Sequence, residues 1–184
     1  MTAPGAVARR PVVLVGLPGA GKSTVGRLAA EALRTEYRDI DRMVEQKMSM
    51  PIARIFAAHG EPKFRQLERE FASQALAGPP AVIAPGAGWI AQPGALEEAR
   101  AAGAFLVYLR CLEETATKRA ALSAVDARPM LSGVMVNPFT RMKELFRERE
   151  PFYLKADATV STELQSADRA ADEVARIARA QAGW

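Results

Sequence analysis

An octapeptide, Gly16-Leu17-Pro18-Gly19-Ala20-Gly21-Lys22-Ser23, follows directly on the apolar run Val12-Val13-Leu14-Val15. It fits G-x-x-x-x-G-K-[ST], in which glycines let successive backbone N–H groups turn inward around a phosphate while the lysine reaches the outer phosphates. No other feature limits the fold so tightly, because the loop works only between a buried strand and the start of a helix. Both are present. The helix is predicted to begin near Lys22, with Val25, Leu28, Ala29 and Ala32 at helical spacing in the Ala/Leu-rich stretch that ends at Leu33. Its positive dipole end points at the same anion, so loop, lysine and helix terminus act in one direction. At average residue frequencies the fixed positions match by chance in roughly one chain of this length in a hundred. The strand before and the helix after lower those odds further. The pattern implies a nucleoside triphosphate site in which Gly19, Ala20, Gly21, Lys22, Ser23 and Thr24 surround the phosphates and Ser23 offers its hydroxyl to Mg²⁺.

With 184 residues and 49% hydrophobic content the chain can bury one core and is short for two, so a single domain is expected. The formal charge of +4 comes from arginines interleaved with acids, with no basic stripe carrying aromatics, which argues for anionic small molecules and against nucleic acid. Cys111 is the single cysteine, which excludes a disulfide framework or a thiolate cluster and fits a reducing, cytoplasmic setting. The first ten residues hold two arginines but no apolar h-region, and no stretch approaches the ~20 apolar residues of a membrane span. Neither secretion nor membrane insertion is expected.

Short apolar runs at 12–15, 81–84 and 105–109 alternate with helical patterns, which reads as a parallel α/β sheet. A weaker strand is predicted just before Asp39 and another over 158–161. Between the second and third strands lies a long helical insertion, 42–77, broken near Met50-Pro51 and again near His59-Gly60. Residues 123–138 lack periodicity, contain Pro129, Gly133 and Pro138, and have the length of a mobile lid. An amphipathic helix is predicted over 167–180.

Beyond the phosphate loop, five motifs occur in order: Asp39-Ile40-Asp41, Phe64-Arg65-Gln66-Leu67-Glu68, Gly86-Ala87-Gly88, Arg128-Pro129-Met130-Leu131 and Arg149-Glu150-Pro151-Phe152-Tyr153. This set resembles the shikimate kinase family over nearly the whole chain. The resemblance implies a three-layer α/β P-loop fold of the nucleoside-monophosphate-kinase type, with a five-stranded parallel sheet, a helical substrate-binding module at about 40–77 and a lid at about 123–138. It also implies transfer of the ATP γ-phosphoryl group to the 3-hydroxyl of shikimate by a monomer. Asp39 would hold Mg²⁺ through water, and Asp41 would bind the acceptor hydroxyls and take the reacting proton. Arg65 and Arg149 would grip the substrate carboxylate, a role suited to guanidinium groups, which bind carboxylates bidentately and keep their charge when desolvated. Glu61 and Glu68 would orient Arg65. Gly86, Ala87 and Gly88 would line the acceptor, Arg128 would meet the ATP phosphates, and Arg119 would lie over adenine.

Blander roles compete. Two aspartates one residue apart at an extended strand end point the same way, yet Asp41 could simply cap the following helix. Arg65 could belong to a surface ion-pair cluster with Glu61 and Glu68, and Arg119 to a solvated helix face. Two departures fall at the acceptor site: the family's usual three glycines become Gly86-Ala87-Gly88, and Trp89 follows. A positive φ at Ala87 would cost on the order of 1 kcal/mol, and the indole either narrows the pocket or packs against the inserted helices. Two alternatives therefore stand beside shikimate: a kinase of another small polyol acid such as gluconate, and a silent metabolite sensor.

Overall fold

A computed structural model describes residues 8–122 and 137–184. The alternating pattern becomes a five-stranded parallel sheet in the order β2-β3-β1-β4-β5. The strands are β1 Val12–Val15, β2 Tyr37–Asp39, β3 Val82–Ala84, β4 Phe105–Arg110 and β5 Ala158–Ser161. The central strand β1 pairs with β3 on one side, Val12 opposite Val82, and with β4 on the other, Val12 opposite Phe105. Residues 12–15 are all buried, as a strand covered on both faces must be. The edge strands β2 and β5 carry the polar residues, which explains their weaker signal in sequence.

Helices α1 Lys22–Leu33, α2 Ile40–Met48, α3 Ile52–Ala77, α4 Ala95–Ala101, α5 Glu113–Leu122, α6 Pro138–Tyr153 and α7 Ala167–Gln181 flank the sheet. The predicted breaks in the insertion are both present. Ser49 ends α2 in the left-handed region, and Gly60 interrupts α3 with φ 77 and ψ 166. Pro62 is tolerated because it falls in the first turn after that interruption. The insertion has a small core of its own, Val44, Ile55, Phe64 and Leu67, with Met48 and Met50 packed against it. Burying Phe64 and Leu67 there sets the rotation of α3 around Arg65 and Glu68, so the orientation of those charges follows from hydrophobic packing.

Residues 123–136, the bulk of the expected lid, lie outside the described residues, and Arg128 with them. Pro138 belongs to α6, not to that segment: Asn137 caps the helix by accepting the Phe139 N–H, and proline suits the first helical position. Among the described residues no helix is long and apolar enough to cross a membrane.

Candidate active site

The phosphate loop spans the gap from β1 to α1. Gly19 has φ 83, and a Cβ there would stand 2.2 Å from the Ala116 carbonyl oxygen, so both conformation and space demand glycine. Gly21 precedes α1 without a side-chain cap, and the first turn of α1 carries no acid. That helix end therefore presents an uncompensated positive dipole to the loop. Lys22 is 8% exposed and donates to the carbonyls of Gly16 at 2.9 Å and Leu17 at 3.0 Å, which holds its ammonium over the loop. A cleft of about 320 Å³ opens here, lined by Gly19, Gly21, Lys22, Ser23 and Thr24, by Asp39 and Asp41, and by Ala87 and Arg119. Ala20, predicted at the phosphates, is fully buried and is not among the residues lining the cleft.

The two aspartates reach this cleft by a route different from the one expected. They do not share an extended strand end: Asp39 closes β2, whereas Asp41 sits in the first turn of α2. The capping role considered for Asp41 falls to Asp39, whose Oδ1 accepts the Arg42 N–H at 3.2 Å. The reason is positional, since a helix starting at Ile40 puts residue 39 at the cap and residue 42 at the third helical position, whose N–H a capping carboxylate reaches. The other Asp39 oxygen accepts the Tyr37 hydroxyl at 2.9 Å. Burial, reinforced by the Asp39 carboxylate, holds the Tyr37 phenol well above its ordinary pKa and so in its O–H form.

Arg119 is drawn out of the solvated helix face that competed for it. It donates to the Thr162 carbonyl at 2.8 Å and lines the cleft. Thr162, buried just beyond β5, gives its hydroxyl to the Ala20 carbonyl at 3.1 Å and its N–H to the Arg110 carbonyl at 2.8 Å. It ties the loop, the end of β4 and Arg119 together. Sequence reading missed it, because a lone threonine after an edge strand carries no signal.

The acceptor side gathers around Gly86-Ala87-Gly88. A Cβ on Gly88 would lie 3.0 Å from Arg65 Nη2 and 3.2 Å from Arg149 Nη2, so two guanidinium groups from different helices converge on one backbone position. A Cβ on Gly86 would lie 2.2 Å from Glu68 Oε1 and 3.0 Å from Asp41 Oδ1. Glu68 is completely buried. Its Oε2 accepts from Arg65 Nη1 at 2.7 Å and from Gln92 Nε2 at 2.6 Å. Its Oε1 has no hydrogen-bond partner among the described residues. Burial pushes the Glu68 carboxyl above its usual value, against the opposing pull of Arg65, Gln92 and Arg149. Arg65 also pairs with the exposed Glu61 at 3.0 Å, so the ion-pair cluster exists, with its Glu61 end in solvent and its Glu68 end buried in the site. Arg65 and Arg149 are formally balanced by Glu61 and Glu68, and what suits a carboxylate ligand is the convergence of two guanidinium groups able to bind it bidentately.

The motif at 149–153 places Arg149 and Tyr153 on the last turns of α6, where both are buried. Tyr153 stacks on Tyr108 at 5.2 Å and donates its hydroxyl to the Ala87 carbonyl at 2.8 Å, which pins the middle of the acceptor loop. Ala87 is not among the positive-φ residues, so the Cβ carries no backbone strain there. Trp89 is 1% exposed and packs in the core among α3, α4 and α6, away from the cleft. Neither departure from the glycine-rich pattern obstructs the pocket.

The shikimate kinase family model matches residues 18–179. A shikimate kinase of Thermobifida fusca is 43% identical over 171 residues, covering 91% of this chain and 94% of that protein. The chain belongs to the shikimate kinase family. A solved shikimate kinase of Acinetobacter baumannii, described as a complex with shikimate, superposes with a TM-score of 0.86 at 30% identity over 95% of each chain. A gluconokinase of Sinorhizobium meliloti reaches a TM-score of 0.59 at 16% identity, covering 94% of this chain and 95% of its own, which is a likeness of fold alone. Within this kinase, the described residues hold no group of three or more His, Cys, Asp and Glu able to enclose a metal ion. The side-chain oxygen donors on residues lining the cleft are the hydroxyls of Ser23 and Thr24 and the carboxylates of Asp39 and Asp41. Such a sparse set fits a small hard cation that keeps waters and phosphate oxygens as its other ligands, which is how Mg²⁺ is held in kinases.

Proposed function

We infer that this shikimate kinase uses ATP to phosphorylate shikimate at its 3-hydroxyl, with the two substrates meeting where Asp41 borders both the phosphate cleft and the acceptor loop. The convergence of Arg65 and Arg149 on Gly88, beside Asp41 at Gly86, supports this reading best. Lys22 and the loop N–H groups bind the β- and γ-phosphates, and Arg119 borders the base. Arg65 and Arg149 take the acceptor carboxylate, held in place by Glu68 and Glu61. Asp41 orients the reacting hydroxyl and accepts its proton as the O–P bond forms, while ADP leaves with the former β–γ bridging oxygen. Ser23, and Asp39 through water, would hold Mg²⁺, which would supply positive charge to offset that of the phosphates. Arg128 adds to that neutralisation from residues 123–136, which we assign as the lid.

We further assign residues 1–184 to one kinase domain with 40–77 as the acceptor module, acting as a cytoplasmic monomer. The separate core of the insertion supports the module. A buried free Cys111 supports a reducing compartment. An ADP-release assay with ATP and Mg²⁺ tests the acceptor by comparing shikimate, quinate, gluconate and no acceptor. Stimulation by shikimate alone is expected, and equal or stronger stimulation by gluconate overturns the assignment.

A further inference from the structure

Tyr37 has no part in the roles above, yet its hydroxyl bonds the carboxylate of Asp39, one of the two residues assigned to the cation. Its ring lies against α1 at Gly26, where a Cβ would meet Tyr37 Cε2 at 2.7 Å and Leu14 Cδ1 at 3.0 Å. A ring seated in the Gly26 gap donates its hydroxyl to Asp39 Oδ2, 2.9 Å away. The carboxylate is thereby tied to the packing of α1 against β2.

We propose that Tyr37 is a positioning residue for the cation site, clamping the carboxylate of Asp39 from behind. With Arg42 N–H on Oδ1 and the phenol on Oδ2, each oxygen of Asp39 is anchored and the carboxylate cannot swing away as the nucleotide enters. This proposal rests on the assignment of Ser23 and Asp39 to the cation.

Tyr37→Phe is the variant of choice because it keeps the ring in the Gly26 gap and removes only the hydroxyl. The readout is the affinity of Mn²⁺ for the enzyme–ADP complex, followed by the electron paramagnetic resonance of free Mn²⁺, alongside thermal unfolding and the KM for shikimate. Y37F is expected to weaken Mn²⁺ by about 10-fold, or ~1.4 kcal/mol, with the shikimate KM within about twofold of the parent. Asp39→Asn and Ser23→Ala separate the two readings. If they weaken Mn²⁺ while Y37F leaves it unchanged, the clamp is wrong and the cation assignment stands. If none of the three changes Mn²⁺ affinity, both fall. If Y37F raises the shikimate KM as much as it weakens Mn²⁺, or lowers the unfolding temperature markedly, Tyr37 acts by general packing and the proposal is overturned.

Discussion

The two ends of the active site are built on opposite plans. The phosphate end is one continuous stretch, Gly16 to Thr24, whose shape is set by positive-φ glycines and by a helix that starts at Lys22. The acceptor end draws Asp41 from α2, Arg65 and Glu68 from α3, the 86–88 loop from the end of β3, and Arg149 and Tyr153 from α6. The first offers backbone N–H groups and a dipole, which any sequence allowing the turn can supply. The second offers buried charges, which are stable only while each has its counterpart. A local device resists changes elsewhere in the protein, whereas a convergent one depends on every element that feeds it.

Lys22→Ala should break the phosphate end alone. A fall in kcat of at least about 10³-fold is expected, since the group that meets the transferring phosphoryl charge is lost. Calorimetry should show shikimate binding unchanged, and loss of both ligands together would mean that the ends are not separable. At the acceptor end, Glu68→Ala removes the buried carboxylate beside Arg65 and Arg149, leaving Arg65 with its exposed partner Glu61. Removing one partner of a buried ionic group costs about 3–5 kcal/mol, so thermal unfolding should fall steeply, while an unchanged melting temperature would mean that Glu68 carries no structural charge balance. Arg65→Lys should raise the shikimate KM by roughly 10- to 100-fold through loss of the bidentate fork, with the ATP KM within about twofold. Equal effects on both substrates would make Arg65 structural.

The smallest effect concerns the support of Arg119. Glu163 accepts from the Leu112 N–H at 2.7 Å and the Thr115 hydroxyl at 2.6 Å at the start of α5. These bonds, Thr115 first, hold its carboxyl below the usual value. A folded pKa below the unfolded one adds stability above the ordinary carboxylate range, lost as pH falls through the lowered native value. Melting temperatures of Glu163→Gln should therefore vary less with pH in the acid range than those of the parent. The difference should be small, because the group is solvent-screened, and identical pH profiles would show that the cap contributes nothing.

The strands were legible because a parallel sheet buried on both faces leaves unbroken apolar runs such as 12–15 and 105–109. The breaks at Ser49-Met50 and Gly60 were legible from proline and glycine. Other features were hidden for identifiable reasons. Asp39-Ile40-Asp41 reads as an extended end until the helix start at Ile40 is known, and one residue of shift exchanges capping for cleft exposure. Glu68 has the spacing of a surface ion pair with Arg65, and only the packing of Phe64 and Leu67 turns that pair inward. Tyr37, Tyr153 and Thr162 act through partners 2 to 142 residues away in sequence.

What the chain determines by itself is therefore whatever depends on short range: the phosphate loop, the strand and helix periods, and the presence of paired arginines and aspartates in a family order. The tertiary structure alone decided that Ala87 keeps an unstrained backbone, that Trp89 fills core and not pocket, and that Arg65, Arg149, Asp41 and Glu68 meet at one glycine loop. Backbone conformation and periodicity are properties of neighbours along the chain. The convergence of charges is set by how the buried faces of α2, α3 and α6 pack, and that is a property of the whole core.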